Sequence, residues 1–210
     1  MSLFRTFIAV EIPPQIQEII QQKIEILRKE IGTSIVRWVP SQNIHLTLKF
    51  LGDVSSANID ILAQMLRAEA DSCPPFEIHL RGLGSFPSSK RPRVLIIRIQ
   101  APAELEALQR GIESGTARLG YESEERGFSP HLTLGRVKQN NLASDQQKIR
   151  KVLEETKIDS LGTARVDSVH LYKSDLKPTG SVYTKLFSAP LQTVTASRAT
   201  SYPQGKQSPR

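Results

Sequence analysis

Apolar and polar residues alternate along several segments of the chain in the pattern of half-buried strands. Residues 4–11 show the alternation most clearly, and residues 93–99 are more continuously apolar. Side chains two positions apart on a strand share a face, so alternation predicts one buried and one open face, whereas a continuous apolar run predicts a strand buried on both. Further strands are predicted near residues 76–83 and 164–172. The chain therefore contains several strands spread over its whole length.

Other segments carry apolar residues at helical spacing. Helices are predicted to begin at Pro13-Pro14 and at Pro102, because proline fits the first turn of a helix, and near Ser55 or Ser56, where a serine can cap the helix. A fourth begins near Ser144. The apolar faces comprise Ile16, Ile19, Ile20, Ile24 and Leu27; Ile59, Leu62, Met65 and Leu66; Leu105, Leu108, Ile112 and Leu119; and Ile149, Val152 and Leu153.

The tetrapeptide His-Leu-Thr-Leu occurs twice, as His45-Leu46-Thr47-Leu48 and as His131-Leu132-Thr133-Leu134. Each copy has strand period, so it places one imidazole and one hydroxyl on one face and two leucines on the other. Two such strands brought together would surround one small space with two imidazoles and two hydroxyls. That set of groups can hold a phosphate and move protons on either side of it.

The two motifs lie at corresponding points of an internal repeat. Strand, helix, motif strand, helix and strand follow one another twice along the chain. We therefore predict an α+β fold of duplicated β-α-β-α-β halves, forming two pseudo-symmetric lobes with a central cleft between mainly antiparallel sheets and helices outside. The predicted domain spans residues 1–194, with interleaved lobes of roughly 1–90 and 91–194. Residues 195–210 are rich in Ser, Thr, Gln and Pro and predict a disordered basic tail.

Composition limits the expected cellular location of the protein but does not identify a binding partner. The net charge is +7, of which the last 20 residues contribute three basic groups and no acid. A mildly basic body suits a polyanionic substrate but is equally typical of an ordinary solvated surface. The single cysteine, Cys73, excludes an internal disulfide. No apolar run has the length of a membrane span, and the N-terminus lacks a signal-peptide layout, so a cytoplasmic location without a membrane partner is expected. The protein is also expected to be a monomer.

The motifs and their surroundings resemble those of the two-histidine phosphoesterase superfamily, and within it the LigT-like RNA 2′,3′-cyclic phosphodiesterases. The resemblance covers about residues 3–191. It is carried by Arg37-Trp38-Val39-Pro40 leading through Asn43 to Gly52, by residues 82–87, by Phe128-Ser129-Pro130-His131 through Arg136, and by residues 171–174 with Gly180 and Tyr183.

The resemblance implies hydrolysis of RNA 2′,3′-cyclic phosphodiester ends to 2′-phosphomonoesters, with reversible 2′,5′ ligation as an additional activity. It implies that His45 is the proton donor and His131 the proton acceptor, a distinction that two identical motifs cannot make themselves. RNA ends, tRNA halves among them, or nucleoside cyclic phosphates are the expected partners. Independently of the family, two imidazoles with ordinary pKa near 6.5 can supply both proton transfers without a cofactor. Thr47 and Thr133 are then candidates to bind the phosphate, and Arg136 could also reach it.

Several alternatives remain open at this point. Thr47 and Thr133 could be ordinary strand formers, and Arg136 could be a surface residue. A zinc site at the histidines lacks a cysteine or carboxylate at ligand spacing, so no metal is expected. The same pocket could serve a non-catalytic module that binds RNA ends or nucleotides. The substrate could also be another cyclic phosphate or a 2′,5′-linked oligonucleotide.

Four further residues are weaker candidates. His79 and His170 lie in predicted strands, but neither is followed by a threonine two positions later, so both are expected to be structural. Phe50 and Phe128 flank the motifs and could stack on a base, although aromatic residues in strands usually belong to the core.

Overall fold

The computed structural model describes residues 2–178 and 180–192. Within these residues it contains four α-helices, nine strands and two short 3₁₀-helices, Ser41–Asn43 and Ser56–Asn58. The helices are Pro14–Ile31 (α1), Ile59–Asp71 (α2), Ala103–Arg118 (α3) and Ala143–Glu155 (α4). The strands are Leu3–Glu11 (β1), Val36–Trp38 (β2), His45–Ser55 (β3), Phe76–Ser88 (β4), Arg91–Gln100 (β5), His131–Val137 (β6), Gly162–Val166 (β7), Ser168–Lys177 (β8) and Gly180–Pro190 (β9).

The strands form one antiparallel path that is narrow at its centre. The order is β7-β4-β5-β6-β3-β1-β8-β9, and β2 also pairs with β6. The pairing of β3 with β6 is limited to Leu46 and Leu132, because β2 occupies the same edge of β6 from Gly135 to Val137. Two four-stranded parts thus meet at the two His-Leu-Thr-Leu segments.

Each part of the sheet takes strands from both sequence repeats. The part β3-β1-β8-β9 is contacted by α2 and α3, whereas β5 and β7 of the other part are contacted by α4 and α1. The helices also pair, α1 with α4 and α2 with α3. This exchange of strands and helices relates the two parts by pseudo-symmetry and confirms the predicted duplicated α+β fold.

The core lies between the sheet and the helices. Leu46 and Leu132 are completely buried there, in one cluster with the apolar faces of all four helices. The opposite face of the sheet, which carries His45, Thr47, His131 and Thr133, is called the open face below. Burying the leucines on the helix side stabilises the fold and also turns each imidazole and hydroxyl to the open face.

Several boundaries differ from the expectations. The single strand predicted near residues 164–172 is two strands separated by Asp167: β7 at one end of the sheet and β8 next to the strand at the other end. Strand β9 was not anticipated, because few of its side chains are buried and its alternation is weak. Ser55 does act as a cap, but its side chain accepts a hydrogen bond from Ala57 at the 3₁₀-helix preceding α2.

The predicted tail, residues 195–210, lies outside the described residues, and its disorder stays a prediction. No helix within the described part of the chain combines the length and apolar character that crossing a membrane would require.

Candidate active site

The two motif strands meet side by side at the centre of the sheet. Because β3 and β6 run antiparallel and pair at Leu46 and Leu132, His45 lies toward Thr133 and Thr47 toward His131. The four polar side chains are half-buried on the open face. Diagonal neighbours in a regular antiparallel pair are about 7–8 Å apart, so the two imidazoles flank a space of the size that a phosphate group needs. The structure thus brings together the four residues that the motifs single out.

Both imidazoles are held by the same local hydrogen bond. His45 Nδ1 lies 2.8 Å from the carbonyl oxygen of Asn43, and His131 Nδ1 lies 2.7 Å from that of Ser129. A carbonyl oxygen only accepts, so each Nδ1 carries a proton and donates it. In the neutral ring, Nε2 is then the basic nitrogen, and it is free for chemistry at both sites.

The strands beside the two motifs repeat one another in detail. In the β1–β3 and β5–β6 pairs alike, the second leucine of the motif, Leu48 or Leu134, is skipped by the register. The residue opposite His45 is Glu11, and the residue opposite His131 is Arg98. The two halves therefore have the same skipped residue in their strand register but carry opposite charges at the positions facing the two histidines.

The two rings differ in their surroundings. His45 stacks on Phe7, with ring centroids 4.8 Å apart, and meets the edge of Tyr183 at 5.2 Å. His131 has one described aromatic neighbour, Phe86, whose ring is edge-on at 4.8 Å. Burial lowers the pKa of His45 to about 4; the hydrogen bond to Asn43 opposes this shift and the charge of His131 adds to it. His45 is therefore neutral at neutral pH in the free protein.

Arg136 lies near the C-terminal end of β6, three residues after Thr133. It is exposed and stands opposite Val94 of β5 and Arg37 of β2. Within the described residues neither arginine forms an ion pair. Two unpaired guanidinium groups opposite one another repel, which makes this end of β6 favourable for an anion.

The four weaker candidates of the sequence analysis lie in different surroundings. Phe50 is 63% exposed and lies 6.2 Å from Phe7 between ring centroids, whereas Phe128 packs against the main core. His79 bonds Thr163 at 2.9 Å, and His170 is buried with Ser188 at 2.9 Å. His79 thus has a partner away from the motifs, whereas His170 Nε2 also lies 3.5 Å from Glu11, the residue opposite His45.

A buried ion pair that the sequence did not indicate ties the first motif strand to the segment entering the second. Lys49 Nζ donates to Glu113 Oε1 and to the carbonyl oxygen of Glu122, both at 2.6 Å. Glu113 also accepts from the backbone of Glu124 at 2.9 Å. The residues 119–130 that lead to His131 are therefore anchored on β3. A lysine in a predicted strand is expected to be exposed, and the pattern of apolar and polar residues does not predict the ion pair between Lys49 and Glu113.

A second network missed by the sequence analysis borders the aromatic side of His45. Tyr172, which stacks on Phe7 at 5.2 Å, donates a short hydrogen bond to Glu11, and Lys185 contacts the same carboxylate at 2.9 Å. Burial would raise the pKa of Glu11, but the bonds from Lys185 and Tyr172 lower it below its ordinary value. Burial and the Glu11 bond raise the pKa of Tyr172. The network fixes Tyr172, and through Phe7 it fixes the ring face against which His45 stacks.

Nothing in the described part of the chain brings three His, Cys, Asp or Glu side chains together to hold a metal ion. The expectation that activity is independent of metals stays a prediction for experiment.

The sequence and the fold match known proteins over most of their length. The profile of the 2′-5′ RNA ligase superfamily matches residues 13–178. A Methanothermobacter thermautotrophicus protein named RNA 2′,3′-cyclic phosphodiesterase is 31% identical over 182 residues, which are 87% of this chain and 96% of that protein. A Thermotoga maritima protein of the same name is 31% identical over 184 residues, covering 87% and 93%.

Solved structures agree with this similarity. A Thermus thermophilus structure superimposes with a TM-score of 0.75 at 27% identity, covering 89% of this chain and 97% of the other. Escherichia coli LigT complexed with 3′-AMP superimposes with a TM-score of 0.70 at 25% identity, covering 91% and 100%.

Proposed function

This chain belongs to the 2′-5′ RNA ligase superfamily, and we propose that it hydrolyses RNA 2′,3′-cyclic phosphodiester ends to 2′-phosphomonoesters. The observation that carries the proposal is the pair of imidazoles held alike by Nδ1 on one face of the sheet, with a threonine hydroxyl beside each. Relatives about 31% identical over most of the chain bear the name of this activity. Two basic nitrogens that flank one phosphate-sized space suit a displacement needing a proton removed on one side and delivered on the other.

The proposed reaction is one in-line displacement at phosphorus. Water attacks the phosphorus and gives its proton to Nε2 of His131, the proton acceptor. The bond from phosphorus to the 3′ oxygen breaks, and His45, the proton donor, delivers a proton from Nε2 to that oxygen. The product carries its phosphate on the 2′ oxygen. The negative charge that develops on the non-bridging oxygens is stabilised by hydrogen bonds from Thr47, Thr133 and Arg136.

The donor role requires a protonated His45, and burial opposes that in the free protein because it lowers the pKa of this ring to about 4. The substrate resolves the conflict, since its phosphodiester carries one negative charge into the same cleft. An opposite charge within about 4–6 Å favours the protonated imidazole. Binding of the substrate thus favours protonation of His45, whereas the ring stays neutral in the free protein.

Ligation uses the same chemistry with a different nucleophile. If the 5′ hydroxyl of a second RNA takes the place of water, attack on the cyclic phosphate and loss of the 3′ oxygen give a 2′,5′ linkage. The superfamily to which the chain belongs is described as 2′-5′ RNA ligases, which favours this second activity. Incubation of RNA ends with 2′,3′-cyclic phosphate and 5′ hydroxyl groups, followed by digestion with a nuclease specific for 3′,5′ bonds, tests it. A resistant dinucleotide supports ligation, and complete digestion contradicts it.

Turnover of a nucleoside 2′,3′-cyclic phosphate, followed by phosphorus NMR, tests the main proposal. The expected product is the 2′-monophosphate alone, because the proposed geometry protonates the 3′ oxygen. Formation of the 3′-monophosphate would mean that the orientation is wrong. Binding of the nucleotide without turnover would favour the non-catalytic module, for which cationic side chains would serve as well as two histidines.

A further inference from the structure

A row of arginines leads away from His131 across the open face of the second part of the sheet. Arg98 stands directly opposite His131 on β5, Arg81 lies on β4 and Arg165 on β7. All three side chains are exposed. Their neighbours along the strands, which include Ile97, Leu80 and Ala164, are buried on the helix side, so the arginines point to the same face as the motif histidines.

Arg98, the first member of the row, is held in place by the backbone of β4. Its Nη1 donates to the carbonyl oxygen of Leu83 at 2.6 Å. Its guanidinium lies over Gly84, where an added Cβ would stand 2.7 Å from the Arg98 Cζ. Glycine at this position therefore makes room for the guanidinium. The side chain is ordered before any ligand arrives, and its remaining donors are available beside His131.

The next two members of the row differ in their neighbours. Arg81 contacts Gln100 at 3.4 Å, an uncharged partner. Arg165 stands opposite Glu77 in the register of β4 and β7. No ion pair is formed by Arg81, Arg98 or Arg165 with any residue that the structure describes.

The open face of the other part of the sheet carries Lys185 and Arg5, each with an acidic residue beside it. Lys185 contacts Glu11 at 2.9 Å, and the exposed Arg5 stands opposite Asp53 in the register of β1 and β3. Arg98, the cation beside His131, has no ion-pair partner among the described residues, whereas Lys185 on the His45 side is paired with Glu11. A polyanion leaving the site is therefore attracted more strongly toward Arg98 than toward Lys185.

We propose that Arg98, Arg81 and Arg165 bind the backbone phosphates of the RNA upstream of its cyclic end. This inference rests on the proposed function and names the substrate class as RNA chains of several nucleotides in preference to free nucleotides. A 2′,3′-cyclic phosphate ends the chain, so the rest of the RNA leaves the site through the 5′ oxygen of the terminal ribose. Arginine binds such phosphates without reading the bases.

The experiment compares kcat/KM for a nucleoside 2′,3′-cyclic phosphate and for a tetranucleotide with the same end. Three phosphate contacts to a single strand give a salt slope of about −2, so raising the salt from about 50 to 200 mM should lower kcat/KM for the tetranucleotide about 20-fold. The mononucleotide should change much less. Arg81→Gln and Arg165→Gln should each weaken tetranucleotide turnover several-fold and reduce the salt slope, with mononucleotide turnover retained.

Arg110→Gln is the matched control, because Arg110 is an exposed arginine of α3 that contacts Glu106 and is outside the row. Equal losses on both substrates, or no loss on the tetranucleotide, would overturn the inference. Fluorescence anisotropy of a labelled tetranucleotide ending in a 2′-phosphate measures the same differences as Kd without turnover. Loss of tetranucleotide affinity in the two variants therefore supports the arginine row even if the wild-type protein hydrolyses neither substrate, an outcome that would sink the proposed function alone.

Discussion

Binding of an anion between the two motifs should change the protonation of His45. Burial lowers the pKa of this ring from 6.5 to about 4, which corresponds to about 3 kcal/mol against protonation. One negative charge about 4 Å away contributes about 4 kcal/mol at an effective dielectric constant of about 20. A single bound anion is therefore sufficient to return the pKa of His45 to its ordinary range or above.

The assay is an NMR titration of the His45 ring in the free protein and with saturating sulfate, whose charge is constant over the titration. The free ring should titrate near pH 4, and sulfate should raise its pKa by about two units or more. In His131→Ala the pKa of the free His45 ring should rise, because one positive charge nearby is removed. Titration of the free ring near 6.5, or no response to sulfate, would refute the reasoning.

Three other predictions follow from the site. Glu113→Ala should lower the free energy of unfolding by about 3–5 kcal/mol, because it leaves without its carboxylate partner a lysine that is only 4% exposed. Lys49→Met should cost less, because the remaining carboxylate is 21% exposed and can be hydrated. Urea unfolding of both single variants and the double variant should show coupling between the two residues, and additive losses would contradict the contact. Exhaustive EDTA treatment should leave turnover intact, and activity that returns only with added metal would show that the site has been misread. Thr47→Val or Thr133→Val should lower kcat about 10-fold or more, since an oxyanion donor is lost; an unchanged kcat with a normal fold would return these residues to a structural role.

The duplicated motif made the centre of the fold predictable. Alternation within His45-Leu46-Thr47-Leu48 and its copy predicted buried leucines and polar groups on the other face, and both are found. The repeat of elements around the motifs predicted the pseudo-symmetric halves. These features depend on local periodicity and on self-similarity, which a single sequence contains.

Other features depend on contacts between segments remote in sequence. The motifs are identical, yet His45 stacks against Phe7 and Tyr183 of β1 and β9, whereas His131 meets Phe86 of β4. The bonds that hold the rings go to backbone carbonyl groups, which every residue possesses and no sequence pattern marks. The register skips a residue just before Lys49, so its side chain turns inward against the expected alternation. Tertiary packing alone determines these details.

Replacement of the leaving oxygen tests the two-histidine mechanism most directly. In a cyclic phosphate that carries sulfur at the 3′ position, the leaving group is a 3′ thiolate. It needs no proton donor, because thiols are far more acidic than alcohols. With the natural oxygen, His45→Ala and His131→Ala should each lower kcat by about 10²-fold or more, with the fold intact by circular dichroism.

With the 3′-sulfur substrate, His45→Ala should regain most of the wild-type rate, whereas His131→Ala should stay impaired because water still lacks its proton acceptor. Rescue of His131→Ala in place of His45→Ala would reverse the two roles. Near-normal turnover of the oxygen substrate by either single variant would contradict acid–base catalysis by the pair.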